Sequence, residues 1–208
     1  MDKALQNYLL ALVPERPPEL VAMEQYARDS RFPIIGPAAG HFCYLISRLI
    51  GARSVFEMGS GYGYSTAWFA QAVDENGGGD VYHVVWDDNL SRMAREHLGR
   101  LDYGARIHYI VDEAIQALRA AEGPFDVIFN DIDKEAYPEA LPVIEAKLRP
   151  GGVLLVDNML WSGRVLDEHH QESSTKAIRE LTQLLNESPQ WESSIVPIQD
   201  GIAMAIKR

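Results

Sequence analysis

A chain of 208 residues with 47% hydrophobic residues is long enough to bury one sizeable core and too short to make two ordinary domains the expected arrangement. Its formal net charge of -11, without clustered lysine and arginine, argues against nucleic acid as a partner, because phosphate backbones are bound mainly by such clusters. A single cysteine, Cys43, excludes an intramolecular disulfide and is expected to be a small core residue rather than a nucleophile.

The first fifty residues are predicted to be helical. Hydrophobic periodicity indicates helices over about 3–13, 19–28 and 37–50, and the prolines between them lack the N–H that would continue a helix. The longest apolar runs, such as 152–156, span only a strand, and the N-terminus carries acidic and amide side chains where a signal peptide has basic ones. A soluble, cytoplasmic protein without a membrane partner is therefore expected.

After Gly51 the pattern changes to short apolar runs, each followed by a polar or glycine turn and a helical stretch, which indicates βαβ units. Four of these runs are continuously apolar, as expected for parallel strands covered on both faces. The last two runs are joined by Gln199, Asp200 and Gly201, and an Asp-Gly step between apolar runs predicts an antiparallel hairpin. The predicted strands are 54–58, 81–86, 106–111, 125–130 and 152–157, followed by the hairpin strands 191–198 and 202–208.

The predicted fold is α/β: a doubly wound, Rossmann-like sheet that is mostly parallel, ends in an antiparallel hairpin and is preceded by helices. The expected organisation is a single domain, 1–208, with a helical segment at 1–50 and an α/β core at 51–208. In such a sheet, ligands bind outside the carboxyl ends of the strands, near the point where the strand order reverses. The residues directly after each strand are therefore the candidates for function.

Three glycines follow the first predicted strand in the stretch EMGSGYGYS. Gly59, Gly61 and Gly63 permit positive φ angles and a close approach of a ligand to the backbone. The N–H groups at the start of the following helix can donate to an anion such as a carboxylate. The other interpretation is a tight turn from strand to helix. Because the spacing is not GxGxxG, a nicotinamide-dependent oxidoreductase is disfavoured.

Acidic and amide residues follow the fourth and fifth predicted strands. Asp131 lies after the fourth strand and Asp157 and Asn158 after the fifth, so neighbouring strand ends about 4.8 Å apart can bring them together. Each acid alone is compatible with a cap or a turn, but like charges that converge at a buried strand edge need a cation, and an all-oxygen ligand set suits Mg²⁺, Mn²⁺ or Ca²⁺. Lys134 can reach the same space, either as a general base or in an ion pair with Asp131 or Asp133.

These motifs resemble one family, the cation-dependent catechol and caffeoyl-coenzyme-A O-methyltransferases, including their bacterial members. The resemblance spans nearly the whole chain and rests on EMGSGYGYS, on DxxKxxY at Asp131, Lys134 and Tyr137, on GGVLLVDNMLWSG and on the terminal PIQDG. It implies the class I methyltransferase architecture, which the terminal hairpin separates from a plain dinucleotide-binding fold. It also implies S-adenosylmethionine as cofactor, a divalent cation (Mg²⁺ first), a small hydroxylated substrate such as an aromatic diol, and a homodimer.

By this resemblance, Asp131, Asp157 and Asn158 would bind the cation, and Lys134 would take the proton from the attacking hydroxyl. Trp161, together with residues 35–40, would wall the substrate, although Trp161 is equally compatible with core packing. Residues expected around the cofactor are Glu57, Gly59, Ser60, Gly61, Tyr62, Ser65, Asp87, Glu113 and Asp131. For Glu57 the alternative is a role as partner of the helix dipole.

One position departs from the family. Members usually end the second strand with an acid that binds both ribose hydroxyls, whereas ungapped alignment puts Val85 there and Asp87 two residues later. Either a shift driven by the glycine loop 77–79 lets Asp87 or Asp88 serve the ribose, or the contact is missing. Since each lost charge-assisted hydrogen bond costs about 1.5 to 3 kcal/mol, the alternative to an active enzyme is a cofactor-binding homologue with weak or lost catalysis.

Overall fold

The computed structural model describes residues 3–208. Met1 and Asp2, which the predicted segment 1–50 includes, lie outside the described residues. As predicted, the N-terminal part is helical, with α1 (Lys3–Ala11), α2 (Pro18–Ser30) and α3 (Gly36–Leu49). No helix within residues 3–208 combines the length and apolar character that crossing a membrane requires.

Strands and helices alternate after α3, as the βαβ pattern predicts. Predicted and observed boundaries differ most at the fifth strand, which begins at Leu148 rather than residue 152, because Leu148 pairs with Phe125 ahead of a register shift. The elements are β1 (Ser54–Met58), α4 (Tyr64–Glu75), β2 (Asp80–Val85), α5 (Asp88–Leu98), β3 (Arg106–Val111), α6 (Ala114–Ala120), β4 (Phe125–Asn130), α7 (Tyr137–Lys147), β5 (Leu148–Val156), α8 (Ser173–Glu187), β6 (Trp191–Val196) and β7 (Ile202–Lys207), with 3₁₀ turns at Lys134–Ala136 and Trp161–Leu166.

All seven strands form one sheet in the order β3-β2-β1-β4-β5-β7-β6. Strands β1 to β5 pair in parallel, whereas β7 pairs antiparallel with both β5 and β6. This confirms the predicted α/β fold with its terminal hairpin. The strand order reverses between β1 and β4, so the loops after these two strands meet at the point where such sheets bind ligands.

Apolar side chains cover both faces of the sheet. One cluster joins the sheet to α2, α3, α4 and α5, with Met23 and Phe69 fully buried in it, and the other joins it to α6, α7 and α8, with Leu118 and Ile144. Cys43 lies in the first cluster without exposed surface, and burial raises the pKa of its thiol well above the usual value. The prediction that this cysteine is a core residue is therefore confirmed.

Candidate active site

The glycine loop after β1 brings two strand ends into contact. Gly59 has φ +85°, and a Cβ atom at this position would lie 2.5 Å from the backbone oxygen of Asp131, so only glycine lets the loops after β1 and β4 touch. Gly63, with φ +92°, precedes α4, and no side chain caps that helix. The N–H groups of the first turn of α4 are therefore free of side-chain caps and suited to an anion.

A cavity of about 770 Å³ opens at the carboxyl ends of the central strands. Its position at the reversal of strand order is where the fold predicts a ligand. Glu57 and Asp87, two of the residues predicted to surround a cofactor, are not among those that line it. The predicted site residues that line it are Gly59, Ser60, Gly61, Tyr62, Ser65, Glu113, Asp131, Lys134, Asp157 and Asn158.

Two carboxylates and one lysine lie at the floor of this cavity. Asp157 is 6% exposed, and burial, followed by the negative charge of Asp131, raises its pKa to about 7. Asp131 keeps a quarter of its side-chain surface accessible, but the loss of solvation still raises its pKa. Lys134 donates a hydrogen bond of 2.7 Å to Asp131 Oδ1. One lysine charge thus faces two carboxylates, an excess of negative charge that favours a further cation.

The oxygen ligands available to a cation are few. Within residues 3–208, no three His, Cys, Asp or Glu side chains cluster as a metal site, so a cation would need an amide oxygen beside the two carboxylates. Asn158 lines the cavity next to Asp157 in a left-handed conformation, with φ +60°. Asn130 lies fully buried beside Asp131 with neither side-chain polar atom hydrogen bonded. This donor set fits a hard cation such as Mg²⁺.

Comparison with known proteins identifies the family. Residues 19–208 match the sequence model of the family described as O-methyltransferase. The chain belongs to this O-methyltransferase family. It is similar to catechol O-methyltransferases from Niastella koreensis, at 27% identity over 98% of this chain and 96% of that protein, and from Mycobacterium tuberculosis, at 30% identity over 92% and 89%. The family resemblance drawn from the motifs is thereby confirmed.

The fold of this O-methyltransferase is also that of solved relatives. The O-methyltransferase TomG from Streptomyces achromogenes, whose crystal structure contains S-adenosylmethionine, superposes with a TM-score of 0.85 at 23% identity, covering 100% of this chain and 99% of that one. At this identity the likeness establishes the fold alone.

Glu57 at the end of β1 is hydrogen bonded to the first turn of α4 in the O-methyltransferase. It is fully buried, and Thr66 donates a hydrogen bond of 2.5 Å to its Oε2 atom. The same hydroxyl oxygen lies 3.0 Å from His83 Nδ1. Burial raises the pKa of Glu57 to about 7 and lowers that of His83 to about 3. The pattern of acids in the sequence did not predict this pairing, because Thr66 and His83 lie on other elements.

Replacing Glu57 with glutamine is expected to flatten the pH dependence of stability. An unfolded Glu57 loses its proton near 4.5, whereas the folded one keeps it up to about 7. The folded state therefore binds the extra proton between these pH values, and the free energy of unfolding falls as the pH rises through them. At pH 8 the Glu57→Gln variant should be more stable than the wild type by on the order of 2 kcal/mol.

Urea denaturation at pH 4.5 and pH 8 measures this difference. Glu168→Gln, at an exposed position on the surface, is the matched control and should follow the wild type. If the Glu57→Gln variant lost stability between the two pH values as much as the wild type does, the effect of Glu57 burial would be refuted.

The second strand of the O-methyltransferase ends without an acid in the cavity. Val85 is 3% exposed, lines the cavity and pairs with Val111 at the end of β3. The register of β1 and β2 is continuous from the pair Ser54 and Asp80 to the pair Met58 and Val84, so this pairing contains no bulge. Asp87 instead caps α5, its Oδ1 accepting hydrogen bonds of 2.8 and 3.0 Å from two backbone N–H groups.

Glu113, which lines the cavity near β3, is also a helix cap. Its two carboxylate oxygens each accept a hydrogen bond of 2.9 Å, from the N–H groups of Ile115 and Gln116. Both acids predicted for the nucleoside end are therefore engaged with a helix start. Acids are common at such positions because the first N–H groups of a helix need acceptors.

Aromatic and apolar side chains wall the mouth of the cavity. The predicted wall from the N-terminal segment was 35–40, but the lining comes from 32–35. The difference arises because α3 begins at Gly36 and Gly40 packs closely against Trp68. Trp161 lines the cavity and also packs against the second core cluster, so packing applies to it, whereas contact with a substrate stays a prediction.

Proposed function

We propose that this O-methyltransferase transfers a methyl group from S-adenosylmethionine to a hydroxyl of a small aromatic diol, with a divalent cation at Asp131, Asp157 and Asn158. The observation that carries the proposal is the pair of desolvated carboxylates at the floor of a cavity that the glycine loop also lines. Relatives named catechol O-methyltransferase support the substrate class. The S-adenosylmethionine in TomG supports the cofactor.

The glycine loop fits the amino-acid end of S-adenosylmethionine. A carboxylate there would accept hydrogen bonds from the first N–H groups of α4, which no side chain caps. Gly61 and Ser65 line the same end of the cavity. The Tyr62 hydroxyl donates to the backbone oxygen of Met23 at 2.8 Å, so Tyr62 would contribute its ring or its backbone rather than its hydroxyl.

S-adenosylmethionine supplies an electrophilic methyl group, and a divalent cation lowers the pKa of a bound hydroxyl and fixes its position. Residues of the chain would take the proton of the acceptor and exclude water from it. Lys134 Nζ has donors directed at Asp131 Oδ1 and at the backbone oxygen of Ile132, at 2.7 and 3.2 Å, which hold it beside the carboxylates. In its neutral form, Lys134 can accept a proton there from the acceptor hydroxyl. Trp161 and Ile35 exclude water around the ring of the acceptor.

Methyl transfer to catechol tests this function. With S-adenosylmethionine and Mg²⁺, mass spectrometry should detect one added methyl group on catechol and little on phenol, which offers only one hydroxyl to a cation. Calorimetric binding of S-adenosylhomocysteine should accompany it. Binding of the cofactor product without transfer to any diol would refute the proposed substrate class, and absence of binding by the folded protein would refute the cofactor.

Val85 supports a second candidate function, a homologue that binds the cofactor weakly and catalyses poorly. The carboxylates of Asp87, after β2, and Glu113, after β3, accept hydrogen bonds from helix starts, and Val85 at the end of β2 offers no acceptor to a ribose. Val85→Glu is therefore expected to tighten binding of S-adenosylhomocysteine about tenfold, through one added charge-assisted hydrogen bond.

Calorimetry measures the change, and Val111→Glu, at the neighbouring strand end outside the cavity lining, is the matched control that should leave affinity unaltered. Unchanged affinity in a folded Val85→Glu variant would indicate that other contacts hold the ribose. This result would contradict the second candidate function, a homologue that binds the cofactor weakly.

A homodimer is part of the proposal. The N-terminal segment exposes large apolar side chains, with Leu5 49%, Tyr8 62% and Leu12 62% exposed, and exposed apolar surface of this kind favours contact with another chain. The mass of one chain is 23.3 kDa, and light scattering should give twice this mass. A monomeric mass at micromolar concentration would contradict this.

A further inference from the structure

The loop after β5 has an unusual backbone. Asn158, Trp161 and Ser162 have φ angles of +60°, +46° and +54°, followed by Gly163 at +82°. Asparagine tolerates this region, but tryptophan and serine rarely adopt it because of their Cβ atoms. Two residues of this loop, Asn158 and Trp161, line the cavity. The conformation that presents them to a ligand is therefore one that the loop does not favour by itself.

The terminal hairpin turn, residues 199–201, holds this loop through three hydrogen bonds. The N–H of Met159 donates to the oxygen of Gly201 at 2.9 Å, and the N–H of Leu160 to the backbone oxygen of Asp200 at 2.8 Å. The N–H of Ser162 donates to Asp200 Oδ1 at 2.6 Å. The short distance to a carboxylate is typical of a charge-assisted hydrogen bond. The donor of this bond, Ser162, is one of the residues with an unfavourable φ angle.

The same turn also contacts the opposite wall of the cavity. A Cβ atom at Gly36 would lie 2.2 Å from Gln199 Nε2, so the Gln199 side chain packs directly on the start of α3. The preceding residue, Ile35, lines the cavity. The hairpin turn thus touches the loop after β5 on one side and the N-terminal wall on the other, although none of its residues lines the cavity.

We infer that Asp200 is a positioning residue: its carboxylate holds Ser162, and with it the loop after β5, in the conformation that presents Asn158 and Trp161 to the acceptor. The hydrogen bond offsets the unfavourable backbone conformation, and loss of the bond lets the loop leave it. The expected effect of Asp200 on acceptor binding rests on the proposed function. The expected effect on the conformation of the loop after β5 does not, so the two effects can be tested separately.

Hydrogen–deuterium exchange tests the loop directly. In Asp200→Ala, peptides covering 158–163 should exchange about tenfold faster or more, the factor that a lost hydrogen bond to a charged group implies. Asp200→Asn keeps an oxygen that can accept from the Ser162 N–H and should stay close to the wild type. The control is Glu168→Ala, which removes an exposed acid between β5 and α8 but outside residues 158–163. Unchanged exchange in Asp200→Ala, or equal acceleration in both Asp200 variants, would overturn the inference.

A second substitution separates backbone positioning from an electrostatic effect. Glycine adopts φ +54° without a Cβ penalty, so Asp200→Ala should cost less in a Ser162→Gly background than in the wild type. The expected readout is a raised KM for catechol in Asp200→Ala, with unchanged affinity for S-adenosylhomocysteine, and partial recovery of KM in the double variant. Strictly additive losses would overturn the inference. If no acceptor is methylated at all, the exchange result still decides the role of Asp200.

Discussion

Replacing Asp157 with asparagine is expected to lower the rate of methyl transfer by about a hundredfold or more, because several kcal/mol of cation-dependent stabilisation would be lost. The substitution preserves shape and removes one of the two carboxylates that converge at the cavity floor. Asp157 is almost completely buried, and burial together with Asp131 raises its pKa to about 7. A cation facing Asp157 would favour the ionised form of its carboxyl group.

The measurement compares initial rates with catechol at saturating S-adenosylmethionine over a range of Mg²⁺ concentrations. The matched control is Asp133→Asn, which changes an exposed acid that lines the same cavity but lies outside the proposed ligand set. Asp157→Asn should also fail to recover at high Mg²⁺. Equal rates in the two variants would remove Asp157 from the cation site.

Replacing Lys134 with methionine is expected to lower kcat about 10²- to 10⁴-fold, the usual contribution of a positioned general base. Methionine keeps most of the length of the side chain and has no group that takes up a proton. The affinity for S-adenosylhomocysteine should not change, because Lys134 is held by Asp131 and Ile132 rather than by the glycine loop.

Lys134→Arg distinguishes proton transfer from ion pairing. Arginine can keep an ion pair with Asp131, but its guanidinium stays protonated at any pH at which the protein is folded. If Lys134 takes a proton, the arginine variant should be as slow as the methionine variant. A fast arginine variant would reduce Lys134 to the partner of Asp131, which was the other interpretation of the sequence.

Much of the scaffold could be predicted from the sequence because its signals are local. Continuous apolar runs followed by glycine or acidic residues indicated the parallel strands, and the Asp-Gly step indicated the hairpin that β6 and β7 form. Ligands of such parallel sheets bind outside the carboxyl ends of the strands, so the residues after β1, β4 and β5 could be expected at one cavity. Asp131, Asp157 and Asn158 meet that expectation.

The sequence was less informative where a side chain has a nearer partner than the expected ligand. Asp87 and Glu113 lie at the right strand ends, but the N–H groups of the following helices take their carboxylates. Glu57 faces inward to Thr66, nine residues later on the next helix. Asp200 meets Ser162 only because the hairpin folds back on the loop after β5. The two helix caps are local contacts, but the contacts of Glu57 and Asp200 depend on tertiary packing, to which periodicity and spacing are insensitive.

Chelation of the wild-type enzyme tests the central claim most directly. Methyl transfer from S-adenosylmethionine to catechol should stop when EDTA removes divalent cations and return when Mg²⁺ is added in excess, while S-adenosylhomocysteine remains bound throughout. Transfer at an undiminished rate in EDTA would contradict a cation at Asp131, Asp157 and Asn158, and the two carboxylates would then need another role.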